Sequence, residues 1–236
     1  MSKKNIDKSL DGIYNMMSYT YHGNWSYRWE GTPWMSDILK SKKKESILAH
    51  EMSCIGLWFS LRRICPSLDA LVNSTRMYEI FWGHDLGEIF IGDIPQFSQL
   101  KGAGIDKASL ERKEILRISK KAPKKVTALL LKNFDSYEAK NKESTDLEVL
   151  ICRLIDNMQG NHFGMVFGNS FDTHSEVIDK VVNRSFVKNA KNLLVYLKKN
   201  RKTKAYKEAS YIISHHIKAI KKSGVKIKAD KELDLI

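Results

Sequence analysis

At 236 residues the chain is long enough for one domain with a sizeable core. Its 42% hydrophobic and 28% charged residues exclude a disordered or membrane-embedded chain. The 40 Lys+Arg against 27 Asp+Glu leave a net charge of +13, which draws anions such as nucleotides, nucleic acid or anionic lipid, although a lysine-rich coding bias gives a similar excess. Cys54, Cys65 and Cys152 are odd in number and lack CxxC spacing, which excludes a disulfide framework and a zinc ribbon. The polar N-terminus has no apolar signal core, and no stretch has the length of a membrane span, so a cytoplasmic protein without a membrane partner is expected.

With 4 Pro and 13 Gly, breakers are few and the sequence reads as all-α. Residues 1–10 read as a polar arm, and 11–35, with Tyr14, Trp25, Trp29 and Trp34, as an irregular aromatic stretch. Apolar residues at three and four spacing predict a helix over 45–64. Pro66 interrupts, Ser67 is a candidate N-cap, and a second helix is expected over 68–90. Gly83 and Gly87 inside it imply a close approach to the backbone. After a loop over 96–108, helices are expected at 109–120, 124–138 and 145–159. A glycine-rich loop over 160–170 and helices at 174–199 and 203–222 follow. A core over 11–160 and a helical extension with a basic tail over 161–236 are the expected divisions.

The chemistry centres on Gly83-His84-Asp85-Leu86-Gly87-Glu88. Neighbours on a helix diverge by ~100°, so His84 and Asp85 reach one ion only near a helix end or bend. His50, in the preceding helix, and Asp156, flanked by Leu154, Ile155 and Met158, complete a candidate shell, because a buried carboxylate needs a partner or a metal. Two His and two Asp suit a divalent Mn, Co, Fe, Ni or Zn ion of undetermined identity. Glu88, four residues after His84, shares its face on a continuous helix and suits a water-orienting or acid/base role. His215-His216 reads as a surface pair, and the lysines over 188–228 as a solvated face.

The order His50 … His84-Asp85 … Asp156 resembles the HD-domain phosphohydrolases. Arg28-Trp29, Glu45-Ser46-Ile47-Leu48-Ala49-His50, the central motif with Gly92-Asp93-Ile94-Pro95, and Tyr137-Glu138 are similar to the 5′-deoxynucleotidase branch. The resemblance covers roughly residues 14–160 and implies an all-α HD-domain bundle around a metal site, with a C-terminal helical extension. It implies that His50, His84, Asp85 and Asp156 bind the metal and that Glu88 handles the attacking water. It also implies that Asp93 orients sugar or water, that Arg28 holds phosphate, and that Trp29 packs by the sugar. The chain departs from the family at Arg153-Leu154-Ile155-Asp156-Asn157, where an acidic position is lost, and beyond residue 160.

The expected reaction is hydrolysis of deoxynucleoside 5′-monophosphates to deoxynucleoside and phosphate. One alternative is a deoxynucleoside triphosphate triphosphohydrolase. Another is a non-catalytic HD-fold nucleic-acid-binding protein. A guanosine-tetraphosphate hydrolase is disfavoured because Ile89 follows Glu88. A nucleotide substrate is the expected partner, a homodimer is expected by analogy with the family, and nucleic acid is less favoured.

Overall fold

The computed structural model describes residues 3–28, 44–92, 106–139, 146–167, 182–224 and 233. They form an all-α architecture with no strand among them. The helices are α1 (Lys3–Thr20), α2 (Ile47–Ile64), α3 (Pro66–Asp69), α4 (Ser74–Gly83) and α5 (Glu88–Ile91). After them come α6 (Lys107–Ile118), α7 (Lys124–Glu138), α8 (Leu147–Phe167), α9 (Val187–Lys199) and α10 (Thr203–Lys222). No helix of the described residues is long and apolar enough to cross a membrane.

Helix α8 is the centre. Val149, Leu150, Ile151, Cys152, Leu154 and Ile155 are all buried, because α2, α4 and α9 pack around it. Surrounded on most sides, it is apolar nearly all round. The larger hydrophobic cluster joins α8 to Cys54 and Trp58 of α2, Phe81 of α4, Leu193 of α9 and Ile213 of α10. A smaller cluster joins Met16 of α1, Ile47 of α2, Leu86, Ile115 of α6 and Phe134 of α7. The seam between them matters for function. His50 lies between Ile47 of one cluster and Cys54 of the other, and His84-Asp85 between Phe81 and Leu86.

Several elements differ from the sequence reading. Residues 3–20 are helical, not an arm and an irregular stretch. Gly12, Met16 and Thr20 recur at four spacing on the buried face, while Tyr14 and Trp25 are exposed. Gly12 lets α1 lie against the chain after α6, where an added Cβ would meet the Lys121 carbonyl oxygen at 1.9 Å. The expected helix over 68–90 is three helices. The Asn73 side chain accepts from Arg76 N and starts α4. The chain then bends over 84–87, where Gly87 meets α6. Pro66 rather than Ser67 opens α3, and the Glu208 carboxylate of α10 accepts from Ser67 N at 3.1 Å and Leu68 N at 2.8 Å. Residues 160–167 continue α8 rather than forming a loop, with Gly160 and Gly164 buried. Helix α8 therefore runs through position 160, and α9 and α10 share the larger cluster with α2 and α8. Residues 182–186 form a π-helical turn into α9, and 174–181 lie outside the described residues. His215 is exposed, but His216 is buried with its ring 4.9 Å from that of Phe186.

Candidate metal centre

Helix α2 begins at a bonded N-cap: the Ser46 hydroxyl accepts from Ala49 N at 3.2 Å. Just before it, Arg28 N donates to Glu45 O and Ile47 N to Ser26 O, both at 2.9 Å. This short pairing fixes the Arg28 backbone beside the helix that carries His50. One turn into α2, the His50 side chain is fully buried. Its Nδ1 donates to Gln159 Oε1 at 2.5 Å, and Gln159 Nε2 donates to Glu45 Oε1 at 2.6 Å. The Glu45 carboxylate can only accept, so the Gln159 amide presents its oxygen to His50. That spends the ring proton on Nδ1 and turns the Nε2 lone pair to the site.

His84 is the C-cap of α4 and Asp85 follows in the bend. This is the helix end that two adjacent ligands require. His84 Nδ1 donates to Phe81 O at 2.9 Å, which again leaves Nε2 as the acceptor. That nitrogen is buried and has no hydrogen-bond partner among the described residues.

The four predicted ligands come together around His50. Asp85 Oδ2 is 3.5 Å from His50 Nε2 and 3.4 Å from His84 Nε2. Asp156 Oδ1 is 3.1 Å from His50 Nε2, and its Oδ2 accepts from the Tyr137 hydroxyl at 2.8 Å. His50, His84 and Asp85 offer donor atoms all within 4.8 Å of one another; Asp156 joins through His50, beside Cys54. Arg28 Nη1 lies 4.0 Å from Asp156 Oδ1.

These spacings fit a small divalent ion. Donors ~2.1 Å from one ion stand roughly 3.0–3.4 Å apart at octahedral or tetrahedral angles. The electrostatics agree. Two imidazole lone pairs face two carboxylate oxygens, and such an arrangement repels itself unless a cation or a proton lies between. Burial pulls the His50 pKa down and Arg28 adds to that pull. Cys54 and the hydrogen bond to Asp156 outweigh both and hold the pKa well above the usual imidazole value. Burial pushes the Asp85 and Asp156 carboxyls up, but His84, Arg28 and His50 hold Asp85 low. His50, Arg28 and His84 do the same for Asp156.

Glu88 opens α5 after the bend, so it does not share a helix face with His84. Its Oε1 accepts from Lys107 Nζ, which also pairs with Glu111 Oε1 at 3.0 Å. Both carboxylates are buried, and burial lifts the Glu111 pKa to about 7 despite Lys107. Gly87 explains the proximity: a Cβ there would lie 2.6 Å from Glu111 Cα, so α6 crosses directly over the His-Asp turn. Asp93 and Trp29 lie outside the described residues.

Gln159, Lys107, Glu111 and Glu51 were not singled out by the sequence reading. Glu51, next to His50, is 1% exposed, and neither carboxylate oxygen has a hydrogen-bond partner among the described residues. Burial and the Asp85 charge push its pKa well up. Its signal in the sequence was a charge inside the apolar run of α2.

The family model described as HD domain matches residues 34–223. The chain belongs to the HD-domain family, whose members are typically metal-dependent phosphohydrolases. The match includes His50, His84, Asp85 and Asp156, crosses position 160, and begins after Arg28. No curated protein matches the chain.

Proposed function

We propose that this chain hydrolyses the 5′ phosphoester of deoxynucleoside monophosphates, with His50, His84, Asp85 and Asp156 holding a divalent metal. The observation that carries the reading is the pair of buried Nε2 atoms, their ring protons spent on Gln159 and Phe81, facing the oxygens of Asp85 and Asp156. Bound there, a divalent cation supplies Lewis acidity, offsetting phosphate charge and lowering the pKa of water.

The chain's own residues account for the rest. In this reading Arg28, 4.0 Å from Asp156 Oδ1, pairs with a phosphate oxygen, a role that its guanidinium fork suits. Water adds to phosphorus, the P–O5′ bond breaks, and O5′ of the departing deoxynucleoside takes up a proton. Glu88 is the proton acceptor for the attacking water, and its buried carboxylate is held in place by Lys107. Asp93 and Trp29 carry the roles in sugar orientation and selection that the family resemblance implies.

The test is phosphate release with Mn²⁺ or Co²⁺ from all deoxy- and ribonucleoside mono- and triphosphates, with products separated by chromatography. Orthophosphate from the deoxynucleoside monophosphates, absent in Asp85→Ala, is the expected result. Triphosphate released from a deoxynucleoside triphosphate would replace this reading with the triphosphohydrolase one.

A further inference from the structure

The charge of this chain is segregated. Residues 182–224 contain twelve Lys and Arg and a single acid, Glu208. The remainder contains 28 basic and 26 acidic residues, so nearly all of the +13 lies in α9, α10 and their flanks. A coding bias toward lysine would spread along the chain and does not account for this. Elsewhere several arginines have an acidic partner: Arg62 pairs with Asp69, Arg76 with Asp146, Arg112 with Asp135 and Arg117 with Glu114. Within 182–224 the one acid is already committed to the backbone of Ser67 and Leu68.

The helical period gathers these cations on one side. Along α10, Lys204, Lys207, Tyr211, His215, Lys218 and Lys222 recur at three and four spacing and are all exposed. They form a stripe ~27 Å long at 1.5 Å per residue. Tyr211, at its middle, is 65% exposed. On α9, Lys188, Lys191, Lys198 and Lys199 are exposed on the outer side, while Leu193, Leu194 and Leu197 face the core. The turn between the helices, Lys198-Lys199-Asn200-Arg201-Lys202-Thr203-Lys204, concentrates five cations in seven residues. Arg201 there has φ 54°, a left-handed conformation that costs a non-glycine residue energy.

Charge at helix C-termini favours the helix dipole, which accounts for Lys198, Lys199, Lys221 and Lys222. It does not account for Lys202 and Lys204 at the start of α10, where positive charge opposes the dipole and no acid stands in the first turn. Like charges crowded at this turn repel one another, and a polyanion relieves that repulsion. We infer that the outer face of α9 and α10 binds the phosphate backbone of a single-stranded nucleic acid, with Tyr211 stacking on a base. A line of phosphates matches a linear stripe of lysines, and an exposed ring among cations is the arrangement by which single strands are held. This surface is separate from the metal centre and extends the chain's activity beyond nucleotide hydrolysis.

The experiment is fluorescence anisotropy of a labelled 20-nucleotide single-stranded DNA of mixed sequence, with metal-free protein in chelator, so that turnover plays no part. Four or five lysine–phosphate contacts give an expected loss of roughly 50- to 130-fold in affinity between 50 and 200 mM salt. Lys204→Glu/Lys207→Glu/Lys218→Glu should abolish most of that binding while nucleotide turnover and thermal midpoint stay at parent values. Tyr211→Ala should weaken binding by about 5-fold or more without changing the salt slope. Vesicles with 30% phosphatidylserine should bind more weakly than the oligonucleotide. Absence of binding by the parent at 50 mM salt, a nearly flat salt dependence, or tighter binding to the vesicles would each overturn the inference. Because the parent's salt slope is read without any variant, the proposal is testable even if the triple substitution fails to fold. A failure of nucleotide hydrolysis leaves this measurement unaffected.

Discussion

Gln159→Leu removes the short hydrogen bond to His50 Nδ1 while nearly keeping side-chain volume. In the parent, Gln159 accepts from His50 Nδ1 at 2.5 Å and donates to Glu45 at 2.6 Å, all three groups being buried. Without that acceptor, the His50 proton gains by moving to Nε2, where Asp156 Oδ1 stands 3.1 Å away. The nitrogen facing the site then carries a proton where a ligand needs a lone pair. Loss of such an outer hydrogen bond costs about 10- to 100-fold in metal affinity. The same substitution leaves the buried Nδ1 of His50 without its Gln159 partner and takes one hydrogen bond from Glu45, costing about 1–3 kcal/mol of stability. The assay is competition for Mn²⁺ or Zn²⁺ against a chromophoric chelator, with circular dichroism to confirm the fold. A folded Gln159→Leu with metal affinity within twofold of the parent would refute the claim that the Gln159 bond orients His50 as a ligand.

Four further outcomes are expected. Glu88→Gln should keep metal affinity near the parent value while kcat falls by about 10²-fold or more, because the proton acceptor is lost but no ligand is; metal titration and steady-state kinetics read both. Arg28→Ala should raise KM for a nucleoside monophosphate by about 10-fold or more, with a smaller change in metal affinity. Gly87→Ala should destabilise the fold by about 1–3 kcal/mol in urea denaturation, because its Cβ would lie 2.6 Å from the α6 backbone at Glu111. His216, whose pKa burial and then His162 and His215 depress from 6.5 to about 4, contributes stability that is present above pH 6.5 and lost as pH falls toward 4. That loss amounts to about 3 kcal/mol, and His216→Leu should flatten the dependence of the urea midpoint on pH across that window.

Legibility in the sequence followed the range of the interaction involved. The bounds of α7 and α10 were readable because local punctuation sets them: Pro123 before one, Ser223-Gly224 after the other. Helix α1 was not readable, because its buried face is sparse and Gly12 looks like a breaker until the Lys121 carbonyl is seen against it. The helix over 68–90 read as continuous because the Asn73 cap and the bend at 84–87 carry no proline. His50, His84, Asp85 and Asp156 stood out as polar groups set in apolar runs, and the structure brings them together around His50. Their supporting groups did not stand out. Gln159 meets His50 across 109 residues, and Lys107 meets Glu88 only because α6 crosses Gly87. A partner chosen by tertiary packing leaves no periodic trace in the chain.

The most direct test of the metal-dependent phosphohydrolase account is to titrate Mn²⁺ into metal-stripped protein while following phosphate release from a deoxynucleoside monophosphate. The account predicts no release from the stripped protein, and recovery that saturates as the first equivalent binds. It also predicts neither binding nor recovery in Asp85→Ala. Full phosphate release from the stripped protein, or unchanged metal binding and release in Asp85→Ala, would contradict it.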